Sequence, residues 1–214
     1  VFGFGRDEAL SHQLDWRSGG HSGQMAITIN KREYDIQKVN GVASKYVNPD
    51  PSVEARIKED NRKLAEARKR DESLGYFLQP FIWPAEGRLS GVYGSQRIFN
   101  GEPRNPHYGL DLSAPTGTPV YAPAGGVVTL VEPDMYFSGG TLIVDHGHGL
   151  SSTFIHLSKI EVKEGQRVAQ GELIARIGAT GRVTGPHLDW RVNWFSTRLD
   201  PQLLVPPHPA QKRK

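Results

Sequence analysis

The segment Gly185-Pro186-His187-Leu188-Asp189-Trp190-Arg191-Val192-Asn193-Trp194 alternates apolar and polar residues without a break. In an extended strand Leu188, Trp190, Val192 and Trp194 line one face, and His187, Asp189, Arg191 and Asn193 line the other. The first face is built for burial. The second holds a histidine and a carboxylate two residues apart and pointing the same way, an arrangement suited to sharing one metal or one substrate atom. Upstream, His107-Tyr108-Gly109-Leu110-Asp111 offers further ligands, with Gly109 placed to let the chain bend so that His107 and Asp111 approach one ion.

Outward from this segment the same texture extends from Leu78 to about Val205, as short hydrophobic runs punctuated by glycine and proline. Candidate strands are Leu89 to Tyr93, Gly109 to Leu112, Pro119 to Tyr121, Gly126 to Val131, Thr141 to Asp145, Ser151 to His156, Arg167 to Val168, Leu173 to Ile177 and His187 to Trp194. Nine short strands with no helical periodicity among them predict a mainly β, antiparallel domain over residues 79–205. Before it, residues 1–50 read as a small β-rich subdomain whose beginning could be missing, and residues 51–78 as a charged linker helix. Asp50 is a fitting N-cap, Pro51 a first helical residue, and Gly75 a stop, which predicts a helix from Ser52 to about Ser73. Its apolar stripe is thin, and Glu54 with Lys58, Glu59 with Lys63 and Glu66 with Arg70 stand four apart. Residues 206–214 read as a flexible tail.

The chain of 214 residues is long enough to bury one substantial core. No apolar run approaches the ~20 residues needed to span a bilayer. The chain begins at Val1, so a removed signal or anchor is expected to lie outside it. Cysteine is absent, which excludes disulfides, thiolate metal sites and a cysteine nucleophile. A metal must therefore be held by histidine and carboxylate. The formal charge of +3 permits an anionic polymer partner, but the basic residues are interleaved with acids and no nucleic-acid motif is present.

Of the eight histidines, His12, His21 and His208 stand in turn-rich or terminal contexts. Asp145-His146-Gly147-His148-Gly149 follows a strand and carries two glycines, which predicts a hairpin turn rather than a metal motif, with His146 kept as a candidate to support the ligands from behind. His107, His156 and His187 remain. Alternation along Ser151 to His156 places Phe154 and His156 on one face.

Six motifs in order, His107-Tyr108-Gly109-Leu110-Asp111, Pro119-Val120-Tyr121-Ala122-Pro123, Val144-Asp145-His146-Gly147, Phe154-Ile155-His156-Leu157, Val168-Ala169-Gln170-Gly171-Glu172 and Gly185-Pro186-His187-Leu188-Asp189, closely resemble the lysostaphin-like, LytM-type zinc metalloendopeptidases, which are peptidoglycan hydrolases. The match runs from about Trp83 to Leu204. The resemblance implies an antiparallel β domain with a groove, in which zinc polarises a peptide carbonyl and activates water. It implies His107 and Asp111 as two metal ligands, with His156 and His187 as catalytic helpers. The family's last motif is His-x-His, whose second histidine is the third ligand. Here Asp189 replaces it, which makes the ligand set with zinc formally neutral, lowers its Lewis acidity, and favours tolerance of manganese. The structural alternative pairs Asp189 with Arg191 or another arginine.

The resemblance implies peptidoglycan peptide as substrate and a periplasmic or extracellular place in the cell envelope, while the lack of a long apolar run leads to the expectation of no stable membrane insertion in this chain. Its alternative is a weak or inactive module that binds peptidoglycan or regulates an amidase partner. The stretch Val162 to Glu172 also looks like the hairpin of lipoyl and biotinyl carriers, but without a lysine at a hairpin tip it indicates shared architecture only. The stretches Arg97 to Pro106 and Glu132 to Gly140 are expected to wall the groove.

Overall fold

The computed structural model describes residues 2–41, 43–47 and 49–208. In chain order the strands are β1 (Ser11–Ser18), β2 (His21–Thr28) and β3 (Ile36–Val39), followed by helices α1 (Ser44–Val47) and α2 (Glu54–Ala67). Then come β4 (Arg88–Gly91), β5 (Gln96–Phe99), β6 (Glu102–Pro103), β7 (Leu110–Ser113), β8 (Pro119–Tyr121), β9 (Gly126–Met135) and β10 (Gly139–Gly147). The last are β11 (Leu150–Ile160), β12 (Arg167–Val168), β13 (Leu173–Ile177), β14 (His187–Trp194) and β15 (Thr197–Leu199). Every strand expected between residues 89 and 194 is present. β5, β6 and β15 are additional; the polar Gln96 and Arg97 of β5 and the Glu102-Pro103 pair of β6 hide the first two from a hydrophobic pattern.

Ten strands form one sheet in the order β12-β9-β10-β11-β14-β7-β4, with β13, β8 and β15 paired at its flanks. β14 lies antiparallel between β11 and β7, so the segment that alternates most strictly is an interior strand. Its Leu188, Trp190 and Val192 are fully buried with Phe154, Leu110, Leu112, Leu142 and Val144, forming the main core on one sheet face. Burying each such side chain contributes about 1.5–3 kcal/mol. The opposite face is covered too: Asp189 and Asn193 are fully buried.

Part of that cover is α2. Leu64 and Ala67 pack on Leu130, Met135 and Ile143, which project from the face opposite the main core. Asp50 caps the entry turn, its Oδ1 accepting from Ser52 N at 2.8 Å, and Pro51 follows in the expected position. The helix ends at Ala67 rather than near Ser73. Arg68 is buried and donates to Thr153 Oγ1 at 3.1 Å, and Glu72 O then accepts from His148 N, so docking onto the β10–β11 turn takes the chain out of the helix before Gly75 acts as a stop. Of the charge pairs expected four apart, Glu54 with Lys58 is present at 3.9 Å and the other two differ. Lys63 reaches across to Glu132 at 2.5 Å, while Glu59 and Glu66 pair with Arg62 and Lys69.

The N-terminal segment contributes the β1–β2 hairpin, and β3 pairs in parallel with β5. The turn at Gly147-His148-Gly149 is as expected, with three consecutive residues at positive φ. His208 does not behave as a tail residue: it is buried, its ring 4.6 Å from that of Trp83, whose Nε1 donates to Pro206 O. The rest of the expected flexible tail, residues 209–214, lies outside the described residues.

Candidate metal centre

Asp111 on β7 and Asp189 on β14 are register partners directly across an antiparallel pair. Both are buried and point to the face opposite the main core. His107 precedes β7 and is held by its backbone, its N–H donating to Ser95 O and its carbonyl accepting from Gly94 N. Its Nε2 stands 3.0 Å from Asp111 Oδ1 and 3.4 Å from Asp189 Oδ2. One ligand atom from each of the three residues lies within 4.8 Å of the others. His107 Nε2 and Asp111 Oδ1 are buried without a hydrogen bond of good geometry. A histidine nitrogen and a carboxylate oxygen facing each other in this way fit a shared cation, so the residues present suit a divalent metal.

Glycine is required at two points of this construction. A Cβ on Gly109 would collide with Asp189 Oδ1 and the Trp190 carbonyl, and one on Gly91 would collide with the Asp111 carboxylate. Gly109 therefore serves by leaving space for Asp189, not by the bend expected of it.

Each carboxylate also carries an arginine. Arg191, two residues on and on the same face, donates from Nε to Asp189 Oδ1 at 3.0 Å and from Nη2 to Oδ2 at 2.6 Å. Arg97 of β5 donates to Asp111 Oδ2. Burial opposes ionisation of Asp111, but His107 and Arg97 outweigh it and hold the carboxyl down at about 2. Asp189 is likewise held well below the usual carboxylate range against its burial, by Arg191 and His107. Burial works against protonation of His107, yet the two carboxylates raise its pKa above the ordinary histidine value. The ion pair with Arg191 weighed in the sequence thus exists alongside the metal-compatible cluster.

His156 and His187 adjoin the cluster with rings 4.8 Å apart. The Nδ1 of His156 is 2.8 Å from Thr180 O and that of His187 is 2.9 Å from Gly185 O. A ring nitrogen bonded to a carbonyl must carry the proton, so in the neutral form each Nε2 is left as the acceptor. His187 Nε2 stands 3.8 Å from Asp111 Oδ1. Burial, then the neighbouring His187, pushes the His156 pKa down to about 3.

Strand alternation expects His156 on the Phe154 face, and the structure differs. Phe154 belongs to the main core, whereas His156 lines the cleft. The cause is a positive φ of 67° at His156, which breaks the alternation and turns the imidazole to the cluster. Such backbone is costly for a non-glycine residue and collects at functional sites.

Two adjoining hollows, about 500 and 280 Å³, open on these residues and share Arg97, Phe99, His156 and Arg182. The stretches expected as walls supply Arg97, Phe99, Arg104 and Pro106 on one side and Phe137 and Ser138 on another, and α2 supplies Ile57, Asn61 and Leu64. Six arginines, at positions 68, 97, 104, 182, 191 and 198, line the larger hollow. Sequence reading missed this convergence, because the six are scattered over 131 positions among acids and only the fold assembles them. His146 lies apart from the centre, buried between Gly125 O and Ser152 Oγ, and His12 and His21 sit on the β1–β2 hairpin.

The family model for peptidase family M23 matches residues 105–201. The peptidoglycan DD-endopeptidase ShyA of Vibrio cholerae serotype O1 is 38% identical over 125 residues, covering 58% of this chain and 29% of its own length. The chain thus spans less than a third of that curated relative. A Pseudomonas aeruginosa crystal structure with an M23 peptidase designation superposes with a TM-score of 0.72 at 32% identity, covering 91% of this chain and 73% of that one. A zinc-containing peptidase from Vibrio cholerae gives 0.54 at 34% identity, over 57% of this chain and 39% of that one. The likeness to the Pseudomonas structure extends over most of both molecules, and the family match spans the strands that hold the His107–Asp111–Asp189 cluster: the chain belongs to peptidase family M23.

Proposed function

We propose that this chain is a zinc-dependent endopeptidase that hydrolyses peptide bonds in peptidoglycan stem peptides or cross-bridges in the cell envelope. The observation that carries the reading is the buried His107–Asp111–Asp189 cluster flanked by two histidines whose Nδ1 atoms are already engaged. The relatives' names supply the substrate class, since ShyA is a peptidoglycan DD-endopeptidase.

In this reading His107, Asp111 and Asp189 hold the ion, which supplies Lewis acidity towards the scissile carbonyl and a nucleophile from water. His156 and His187 do the proton work. Their Nδ1–H groups are anchored on backbone carbonyls, so each Nε2 can take a proton from the attacking water and return it to the leaving amine. Burial keeps the His156 ring neutral, which leaves its Nε2 lone pair unprotonated. Arg191 and Arg97 hold the two carboxylates in place and offset their charge, which lowers the affinity for a cation and leaves the loaded centre more positive. The aspartate ligand makes manganese an acceptable substitute for zinc. Retention of both histidines beside the cluster favours turnover over a binding or amidase-regulating role.

The test is digestion of purified peptidoglycan by the zinc-replete chain, with released fragments identified by mass spectrometry. New amine ends that vanish with chelator and in His156→Ala support the reading and name the bond. Intact peptidoglycan with zinc demonstrably bound would overturn it.

A further inference from the structure

Asp111 and Asp189 account for two of the six cleft arginines. Among the described residues none of Arg68, Arg182 and Arg198 forms a salt bridge with a carboxylate. Arg68 Nε and an Nη of Arg198 are buried without a hydrogen-bond partner. The fold places the three around the one larger hollow from distant sequence. Arg68 at the end of α2 is bonded to Thr153, which is the register partner of Arg191, while Arg198 on β15 is the register partner of Asn193 on the same face. Arg182 approaches from the other side, its guanidinium 4.6 Å from the ring of Phe137 and 5.1 Å from that of Phe99. Arg198 stands 5.9 Å from the Tyr108 ring. Aromatic faces of this kind hold a guanidinium plane still and leave its N–H edge free for a planar anion.

Such an assembly opposes itself unless an anion joins it. Burial first, then repulsion from neighbouring arginines, brings Arg68 (beside Arg198 and Arg191) down to about 9, and Arg198 (beside Arg191) and Arg182 (beside Arg191, Arg97 and Arg104) to about 10. Asp60 is the one carboxylate among the described residues lining the larger hollow, and it is engaged with Tyr136 N at 2.8 Å. The hollow of about 500 Å³ admits a short peptide, and the arginines lie inside it rather than along an open stripe that a nucleic acid could follow.

We propose that Arg68, Arg182 and Arg198 form an anion subsite beside the metal centre that holds a free carboxylate of the peptide being cleaved. The proposal rests on the endopeptidase reading and adds a selection rule: among peptides of equal length, the one with an unblocked carboxylate near the scissile bond is preferred. A planar carboxylate meets two N–H donors of a guanidinium at once, whereas a carboxamide offers one acceptor and brings a competing donor.

The experiment measures calorimetric binding of acetyl-D-Ala-D-Ala and of its C-terminal amide to the chelated chain, so that no hydrolysis intervenes. Wild type is expected to bind the carboxylate at least about tenfold more tightly than the amide, the scale of one charge-assisted bidentate contact. The preference should vanish in the Arg182→Gln/Arg198→Gln double variant and partly return with Arg182→Lys/Arg198→Lys. Inorganic phosphate is the second probe. If it displaces the peptide only at much higher concentration than the peptide itself, the site is one for peptide carboxylate. Equal binding of acid and amide, or phosphate binding tighter than the peptide, overturns the proposal. Peptidoglycan digestion run in parallel separates the two readings: cleavage without carboxylate preference removes the subsite alone, and preference without cleavage removes the enzymatic reading while the subsite stands.

Discussion

Asp111 and Asp189 face each other across the β7–β14 pair, and each is gripped by its own arginine, Arg97 and Arg191. Like charges directly opposite in a sheet destabilise it. Here the guanidinium groups and His107 offset that repulsion. A metal held here would share the Asp189 oxygens with Arg191, whereas Asp111 Oδ1 carries no hydrogen bond.

Replacing Arg191 tests this sharing. Arg191→Gln leaves a buried carboxylate without its counter-charge, which costs on the order of 3 kcal/mol. The metal-free variant should melt well below wild type. Zinc should raise its melting temperature by more than it raises that of wild type, because the ion replaces the lost charge. Thermal scans with and without zinc check both outcomes, and an equal zinc-induced rise in the two proteins would contradict the shared-oxygen account.

Gly109→Ala should damage the centre without replacing a ligand. Its methyl group collides with Asp189 Oδ1 and the Trp190 carbonyl, so β14 must shift or Asp189 must rotate. Overpacking of this kind costs about 1–3 kcal/mol. Urea unfolding should show that loss, and zinc titration should show weaker binding than in wild type. A variant with undiminished stability and affinity would mean that the close approach is not needed.

His146 predicts part of the acid response. Burial pushes its pKa down to about 4, opposed weakly by the bond to Gly125 O, against 6.5 for the free side chain. Between those values the unfolded chain binds the proton and the folded chain does not, so stability rises with pH there. The contribution is complete above about pH 6.5 and is lost as pH falls towards 4, up to about 3 kcal/mol. Urea midpoints for His146→Gln between pH 4.5 and 7 should therefore change less than those of wild type. A slope as steep in the variant would assign the acid loss to other groups.

Much of this was legible in the sequence where a local pattern carried it. The strict alternation of His187 to Trp194 placed Trp190 in the core and Asp189 on the site face, because a pleated strand has no other way to bury one side. The resemblance of the His107 and His187 motifs to a known family pointed to the residues that the fold brings together. What stayed hidden was non-local or broke a rule. The positive φ of His156 reverses the alternation that a sequence reader must assume. The arginines at 68, 182 and 198 have no common signature, since each is ordinary in its own segment: pairing among β11, β14, β15 and the end of α2 collects 68 and 198, and the loop held by the Arg182 N–H bond to Phe137 O adds the third. The helix stop at Ala67 came from tertiary docking on the β10–β11 turn, which no capping residue announces.

The central claim is that Asp189 serves as a metal ligand in the place of a histidine, despite the fork of Arg191. Its most direct measurement is a calorimetric zinc titration of the metal-free chain beside Asp189→Ala and Asp189→His. The account predicts one ion per wild-type chain, binding lost or reduced at least about tenfold in Asp189→Ala, and binding retained in Asp189→His. Wild type and Asp189→Ala with the same affinity would show that Asp189 serves Arg191 alone.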